Sequence, residues 1–220
     1  MANLRKISKE ELNKIIKNHQ HYLNKDCDGW EKMRADLSYM DLSYMNLSYT
    51  NLSYADLSYA DLSYADLTHT YLDHTDLTYT NLSYASLFYT YLFHADLFNT
   101  NLTDVYYDET TSFFTLQCPE KGSFIGYKKS GDKIVELRIE EDSKRSSATS
   151  RKCRASKVTV LSITSLDGKE EFTICENTGR YEFTYEVGKT YEVEDFDENR
   201  WHECGKGIHF FLTRQEAVAY

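Results

Sequence analysis

The side chains best suited to chemistry lie between Ser143 and Lys157, where six cationic residues occur with no acid among them. Five serines and one threonine are interspersed with these cations. Guanidinium groups beside hydroxyls suit a phosphate group. The segment is therefore a candidate loop for a phosphorylated ligand or a nucleotide. Its candidate anion-binding residues are Lys144, Arg145, Arg151, Lys152 and Arg154.

The same basic segment has a second interpretation, as a solvated loop that pairs with acids elsewhere in the chain. Glu140, Glu141 and Asp142 precede it directly, and the first half of the chain is strongly acidic. The chain has no phosphate-binding glycine motif of the kinds that would favour the nucleotide hypothesis. Both interpretations therefore stay open at the level of the sequence.

Cysteine and histidine side chains offer two further chemistries, metal binding and nucleophilic catalysis. The five cysteines are scattered and never spaced as C-x-x-C, the usual zinc arrangement. Cys204 and His209 have no third residue to orient them, and His19 and His21 are interpreted as residues of an N-terminal helix. We expect no metal, no cofactor and no catalytic residue, which favours a protein that is not an enzyme. Reduced thiols without a secretion signal predict a cytoplasmic location.

Leucine recurs at every fifth residue from Leu37 to Leu102, fourteen times in succession. Ala, Thr or Met stands two residues before each leucine, and Asp or Asn usually stands directly before it. A period of five forms no stripe on an α-helix and would flip each leucine to the other face of a strand. The remaining solution is a chain that turns a corner in every pentad, so that stacked units bury one core.

The pattern A-(D/N)-L-x-x resembles the pentapeptide-repeat family. This resemblance implies a right-handed quadrilateral β-helix with four pentads per coil, hence about 3.5 coils. The leucine and the small residue two before it would point inward, and the other three positions outward. The predicted fold is mainly β: this β-helix, an N-terminal α-helical cap and a C-terminal α+β domain.

In the register that the resemblance implies, residues twenty apart stack into columns. Asp36, Asp56, Asp76 and Asp96 form an acidic column on the first face. The fourth face is aromatic, and its candidate protein-binding residues are Tyr71, Tyr91, His74 and His94. The segment from 35 to 104 has nine Asp and no Lys, Arg or Glu. The acids form either an ordinary solvated face or a surface for a basic partner, and the aromatics either stabilise the sheet or bind.

Three phenylalanines, Phe88, Phe93 and Phe98, follow leucine in successive pentads where earlier pentads have Ser, Thr or Asp. The implied register points them outward, and three exposed rings should not remain in water. We expect the C-terminal domain or a second copy of the chain to cover them, so a homodimer is one expectation.

The flanking segments complete the predicted organisation. Ser8 and Glu11 form a capping box, and apolar periodicity predicts a helix from about residue 9 to 23. This helix would cap the open end of the solenoid. Thr213 and Glu216 form a second capping box before a short terminal helix. The predicted domains are the cap, 1–34; the repeat, 35–104; a connector, 105–117; and the α+β domain, 118–220.

Short strands separated by turn signals are expected in the C-terminal domain. One turn signal is Thr178-Gly179. The predicted strands are Ser123–Lys128, Lys133–Ile139, Lys157–Ile163, Glu171–Cys175, Tyr181–Tyr185, Lys189–Val193 and Ile208–Leu212.

The order of a capped helix, pentads, C-P-E-K-G-S-F-I-G-Y-K-K and G-I-H-F-F-L-T-R-Q-E-A resembles a group of pentapeptide-repeat proteins common in bacteriophages. The resemblance implies a phage origin and a host cytoplasm, and supplies no mechanism. The net charge of −10 argues against general nucleic-acid binding. No apolar run is long enough to span a membrane.

The predicted function is that of a non-enzymatic protein that binds a host protein through its acidic and aromatic repeat surface. DNA mimicry and counter-defence are finer hypotheses that the acidic column suggests. The alternative is a C-terminal domain that binds a phosphorylated ligand or signalling nucleotide through the basic loop. A third hypothesis is a purely structural part of a virion or scaffold.

Overall fold

A computed structural model describes residues 4–176 and 184–220. It divides into unit 1, Met1–Thr115, and unit 2, Leu116–Tyr220. The predicted turn at Thr178-Gly179 and residues 181–183 of a predicted strand lie outside the described residues. Among the described helices, none combines the length and the apolar character that a membrane crossing requires.

Unit 1 is built on parallel single-residue bridges that join residues twenty positions apart, from Asp36 and Asp56 to Asn81 and Asn101. The backbone N–H of Leu37 donates to the Asp56 carbonyl at 2.8 Å, and the Asp56 N–H donates to Ala35 at 3.0 Å. The same pair of bonds recurs along the repeat. The stacking of residues twenty positions apart, which the family resemblance implies, is therefore present along the repeat.

The core of unit 1 is a stack of leucines. Thirteen of the fourteen repeat leucines are at most 1% exposed, and Leu102 is half-buried. The small residues beside them are also buried where they are Ala, and the buried threonines satisfy their hydroxyls within the stack. Thr80 Oγ1, for example, donates to the Leu57 carbonyl at 2.7 Å. A polar side chain is thus accommodated in the core because a backbone acceptor of the preceding coil faces it.

The coil continues beyond the last pentad, into the predicted connector. Tyr106 bridges to Ser86, and Ser112 bridges to Tyr91 after an interval of 21 residues rather than twenty. Thr111 Oγ1 donates to the Leu87 carbonyl at 2.8 Å, as repeat threonines do. The coiling therefore continues past residue 104, into the segment predicted as a connector. The extra residue and the loss of the leucine period conceal this last part of the coil in the sequence.

The N-terminal segment contains β1 (Arg5–Lys6), α1 (Lys9–Asn24), a 3₁₀ turn (Trp30–Lys32) and β2 (Met40–Asp41). The parallel pair of β1 and β2 adds one strand to the first coil. The predicted helix is confirmed, and the Ser8 hydroxyl accepts the Glu11 N–H at 3.1 Å. Only half of the predicted capping box forms, because the Glu11 carboxylate binds Arg5 at 2.7 Å.

The fully buried His19 joins α1 to the repeat. Its Nε2 donates to the Ser53 carbonyl at 3.0 Å, and its Nδ1 accepts the Ala35 N–H at 3.0 Å. These partners require the neutral Nε2–H tautomer. Burial, the largest cause, lowers the pKa of His19 below its ordinary value. The helix is therefore fixed to the first and the fourth pentad of the first coil by one uncharged side chain.

The described part of unit 2 is mainly β, with one helix. Its elements are β3 (Phe124–Ser130), β4 (Lys133–Ile139), β5 (Arg145–Ser147), β6 (Cys153–Ala155), β7 (Lys157–Ser165), β8 (Glu171–Phe172), β9 (Ile174–Glu176), β10 (Thr184–Glu186), β11 (Thr190–Glu192), β12 (Ile208–Phe210) and α2 (Arg214–Ala219). One sheet has the order β11-β7-β4-β3 with β8 on β7, a second has the order β12-β6-β5, and β9 pairs with β10. A core of apolar side chains, including Val135, Leu137, Val160 and Phe210, lies in this unit.

Two features of unit 2 stand out against the predictions. The terminal capping box of Thr213 and Glu216 forms in full. The segment between Ser143 and Lys157, predicted as a basic loop, contains β5 and β6, which pair with each other, whereas Lys144, Arg151 and Lys152 lie outside both strands. Its serines lie largely buried, and hydrogen bonds satisfy them: Ser156 Oγ accepts the Lys144 N–H at 2.9 Å. Hydroxyl groups that predicted a loop are thus used inside a sheet.

Candidate protein-binding surface

Each pentad of the repeat turns its corner at the second residue after the leucine. In the first pentad, the Met40 N–H donates to the Leu37 carbonyl at 3.4 Å, and Tyr39 between them has φ 55°. A positive φ at this place is what a type II turn requires. The residues in this conformation are Tyr39, Tyr44, Tyr49, Tyr54, Tyr59, Tyr64, His69, His74, Tyr79, Tyr84, Tyr89, His94, Asn99 and Asp104.

The acidic position just before leucine stabilises the same corner. Asp56 Oδ1 accepts the Ser58 N–H at 2.9 Å and the Ser58 hydroxyl at 2.7 Å. Asn46 makes the equivalent two bonds to Ser48 through its amide oxygen. A side-chain oxygen that binds its own backbone two residues on is a common turn motif. The turn therefore needs an oxygen at this position but does not need its negative charge.

The structure places Asp36, Asp56, Asp76 and Asp96 in one column, joined in sequence by parallel bridges. Each carboxylate turns its Oδ1 towards the corner of its own pentad. The next column differs, because the Asn81 amide donates to Asp61 Oδ1 at 3.0 Å. Charge is therefore concentrated on the first column, whereas amides replace it in the second.

Aromatic rings stack in four columns along the repeat. The sequence pointed only to the fourth face, but the positive-φ positions from Tyr39 to His94 form these columns. Within these four columns, neighbouring rings have centroids 4.5–4.9 Å apart and lie nearly parallel. The recurrence of Tyr or His two residues after twelve of the fourteen leucines carried this signal. Stacked rings compensate the strain of the positive φ.

The fourth face carries a second aromatic column beside the one at its corner. Tyr71 and Tyr91 stack at 4.8 Å and are 44% and 43% exposed. His74 stacks on His94 at 4.9 Å, and both are exposed. The four predicted residues of this face therefore form two stacked pairs of exposed aromatic rings.

Two tyrosines of the stacked columns have raised pKa values. Desolvation, with smaller contributions from Tyr39 and Tyr79, raises the pKa of Tyr59. A hydrogen bond and the charge of Asp104 raise the pKa of Tyr84. Each such hydroxyl can donate and accept a hydrogen bond. The outside of the repeat thus combines apolar ring faces, neutral hydroxyls and negative charge.

The three phenylalanines are half-buried rather than fully exposed. Phe93 contacts Phe113 with ring centroids 4.8 Å apart, and it packs edge-on against His74 at 5.9 Å. Phe98 lies edge-on to Tyr79 at 6.1 Å. Residues of unit 1 itself therefore cover part of the surface that Phe88, Phe93 and Phe98 form.

The basic residues of unit 2 are engaged with acceptors of the same unit. Arg154 is 1% exposed, and its guanidinium donates to the Asp197, Asn199 and Lys206 carbonyls at 2.9–3.1 Å. Arg145 donates to four carbonyls, including Gly122 at 2.6 Å. These two arginines hold loops in place.

The other three candidate anion-binding residues form ion pairs. Lys144 pairs with Glu198, and Arg151 pairs with Glu216 at 2.6 Å. Lys152 has its Nζ 3.9 Å from the Glu203 carboxylate and 3.8 Å from the Cys204 sulfur. The five side chains thus bind several different partners rather than one shared position.

His209 and Cys204 have separate surroundings. His209 Nε2 donates to the Glu203 carbonyl at 3.2 Å, and burial, followed by Lys152 and Lys128, lowers the pKa of His209 to about 4. A neutral histidine on strand β12 fits the prediction of a largely buried strand there. All five cysteines are free thiols, of which Cys118, Cys153 and Cys175 are buried.

Two parts of the chain match known family models. Residues 33–104 match the model for pentapeptide repeats in eight copies. This segment consists of pentapeptide repeats. Residues 114–217 match a family of unknown function, DUF5758. The chain matches no curated protein.

Several solved pentapeptide-repeat structures are similar to the chain. Rfr23 of the cyanobacterium Cyanothece 51142 is 34% identical over 35% of this chain and 52% of its own, with a TM-score of 0.35. HetL of Nostoc sp. strain PCC 7120, described as involved in heterocyst differentiation regulation, is 32% identical over 33% and 43%, with a TM-score of 0.20. The pentapeptide-repeat protein alr5209 of Nostoc PCC 7120 is 28% identical over 43% and 80%, with a TM-score of 0.22. The chain therefore spans about half the length of Rfr23 and less than half of HetL.

Proposed function

We propose that this is a non-enzymatic protein that binds a partner protein through the outside of its pentapeptide repeat. The observation that supports this proposal is that the positions of a pentad have different structural roles. Leucine and the small residue form the core, and one acidic oxygen holds the corner. Aromatic ring edges and the charge of the carboxylates are left on the surface. Tyrosine is a preferred residue at protein interfaces.

The proposed architecture is a right-handed quadrilateral β-helix whose open end α1 caps. Parallel bridges at intervals of twenty residues and a corner in every pentad support four sides per coil. The bonds of His19 to the first and the fourth pentad of the first coil support the capping role. Such a tower is rigid, so binding residues on it are positioned before a partner arrives.

The proposed partner is a host protein with a basic surface, met by a protein of phage origin in the host cytoplasm. Charge complementarity would steer this encounter. The repeat carries nine Asp in about 17 Å, if coils are about 4.8 Å apart. Duplex DNA has one charge per about 1.7 Å, or about ten in the same length. This similar charge density supports DNA mimicry, with counter-defence as its purpose.

The proposal is tested by quantitative affinity capture from a bacterial lysate with the tagged chain. One variant replaces Asp36, Asp56, Asp76 and Asp96 with Asn, which removes four charges but keeps the oxygens that hold the corners. A second variant carries Tyr71→Thr and Tyr91→Thr on the fourth face. A protein captured by the original chain and lost with both variants supports the proposal. Equal capture by all three chains contradicts it.

DNA mimicry needs a narrower test on the captured protein. The purified repeat protein should displace duplex DNA from that partner, and the four-Asn variant should displace it at least about tenfold less well, because steering and contact both depend on charge. A ternary complex of partner, DNA and this chain would refute mimicry while leaving protein binding intact.

A homodimer through Phe88, Phe93 and Phe98 remains a separate proposal. Half-buried rings in adjacent pentads support it, because a second copy would remove them from water. Sedimentation equilibrium should show a dimer that the triple substitution to Ser converts to a monomer. A monomer at all concentrations would mean that unit 1 itself or unit 2 covers these rings.

The alternative of a phosphorylated ligand on the basic segment has less support. Arg145 and Arg154 donate to carbonyls, and Lys144, Arg151 and Lys152 face carboxylates. Calorimetry with inorganic phosphate and a nucleotide mixture, repeated on Arg151→Gln with Lys152→Gln, tests it. Saturable heat that this double variant loses would restore the alternative.

A further inference from the structure

We propose that His21, Asp26 and Cys27 form a binding site for a divalent zinc-type metal ion at the end of α1. The ligand atoms of these three side chains all lie within 4.8 Å of one another. The sequence predicts no metal, because its cysteines are never spaced as C-x-x-C. The three ligand residues are instead brought together by the turn of the chain after α1.

The turn that assembles the three ligands is the left-handed cap of α1. Lys25 has φ 54° and its N–H donates to the His21 carbonyl, so the helix stops there. The following residues then fold back over the last turn. As a result Asp26 Oδ1 lies 2.7 Å from His21 Nδ1, although five positions separate the residues.

The spacing suits a tetrahedral ion after small side-chain movements. Zinc bonds of about 2.0–2.3 Å place neighbouring ligand atoms about 3.3–3.6 Å apart. The contact of 2.7 Å between His21 and Asp26 would open by less than 1 Å. The largest separation, at most 4.8 Å, would close by about 1.2 Å. All three side chains are half-buried or exposed, so an ion has a path to them.

The donor set selects the class of ion. One imidazole nitrogen, one carboxylate oxygen and one thiolate match zinc, whereas calcium and magnesium prefer oxygen alone. The carboxylate and the thiolate would neutralise two positive charges. Three protein ligands leave a fourth position for water, and the Met33 sulfur, 3.7 Å from Cys27 Sγ, lies next to the thiolate.

A supporting residue already orients the carboxylate. The Asn24 amide donates to Asp26 Oδ2 at 3.4 Å, which leaves Oδ1 towards His21. Such outer contacts tune metal affinity about 10- to 100-fold.

The test titrates the reduced, metal-free full chain with Co²⁺, and then displaces the Co²⁺ with Zn²⁺. We expect one equivalent to bind, with a thiolate-to-cobalt charge-transfer band and the visible bands of tetrahedral cobalt. Cys27→Ser should abolish the charge-transfer band, and His21→Ala should weaken binding at least about 100-fold. Asn24→Ala should weaken it about tenfold.

Cys204→Ser is the matched control, because Cys204 is an exposed thiol in the other unit. It should bind cobalt with the same band and affinity as the unchanged chain. Circular dichroism verifies that each variant keeps its helix, and Trp30 fluorescence reports binding near the site independently. The absence of a saturable equivalent, or a band that survives Cys27→Ser or disappears with Cys204→Ser, would overturn the proposal.

Discussion

The two units of the chain use polar side chains in opposite ways. In the repeat of unit 1 the bond from an Asp or Asn side-chain oxygen to its own corner recurs in most pentads, and each copy is local to that corner. In unit 2 single side chains such as Arg154 hold several loops at once. A repeated bond makes each copy dispensable, whereas a unique buried charge does not tolerate loss. The repeat therefore has surface groups available for binding, and unit 2 uses its cations for its own fold.

The largest loss of stability is expected from a substitution in unit 2. Arg154→Met leaves three carbonyls without their donor in a buried site, and should lower the free energy of unfolding by about 3–5 kcal/mol. Urea denaturation followed by Trp201 fluorescence in a Trp30→Phe background isolates unit 2. Arg138→Met, which removes an exposed ion pair with Glu140, should cost less than about 1 kcal/mol. Equal effects of the two substitutions would contradict the special role of Arg154.

A second prediction concerns the repeat core. Leu67→Ala should destabilise unit 1 by about 3 kcal/mol, because Leu67 is fully buried between coils. Leu102→Ala should lower the free energy of unfolding by only about 1 kcal/mol, because Leu102 is half-buried. Trp30 fluorescence in a Trp201→Phe background follows unit 1 alone. A smaller loss for Leu67 than for Leu102 would mean that the stack can collapse around a gap.

The buried His209 predicts a pH dependence of unit 2. Burial lowers its pKa from 6.5 to about 4 in the folded state, so the unfolded chain takes up a proton first as pH falls. The stability that the neutral His209 contributes should therefore be present above about pH 6.5 and be lost as pH falls towards about 4. In His209→Gln, whose amide also donates to the Glu203 carbonyl, the slope of stability against pH over this window should be smaller. An unchanged slope would show that other groups carry the acid sensitivity.

A smaller loss of stability is expected from substitutions at the acidic position before leucine. Asp56→Ala removes both bonds to Ser58 and should cost about 1 kcal/mol. Asp56→Asn should cost almost nothing, since Asn46 makes the same bonds in its own pentad. Urea denaturation of the two variants compares them directly. A loss with Asn as large as that with Ala would show that the turn depends on the charge.

Much of the repeat could be predicted because one period repeats fourteen times. The leucine core and the helix after Ser8 followed from spacing and caps, and the twenty-residue stacking followed from the resemblance to the pentapeptide-repeat family. The coil at Tyr106–Ser112 could not be found, because one extra residue breaks the period. The arginines of β5 and β6 were misinterpreted as a loop, because cations and serines indicate solvent unless their acceptors are known.

The candidate sites show the same limit. The acidic and fourth-face columns were predictable, because residues of one column share a position in the repeat. The cluster of His21, Asp26 and Cys27 depends on a left-handed residue at Lys25, which its spacing does not reveal. Arg154 depends on acceptors that lie more than forty positions away in the chain.

The central claim is that the repeat holds its corners with oxygens and leaves its charge free for a partner. It is tested most directly by the free energy of unfolding of unit 1 in the variant with Asn at 36, 56, 76 and 96. The account predicts a value within about 0.5 kcal/mol of the unchanged chain, or higher, since repulsion along the column is relieved. A loss of more than about 1 kcal/mol would show that the charges themselves hold the coil together and would contradict the account.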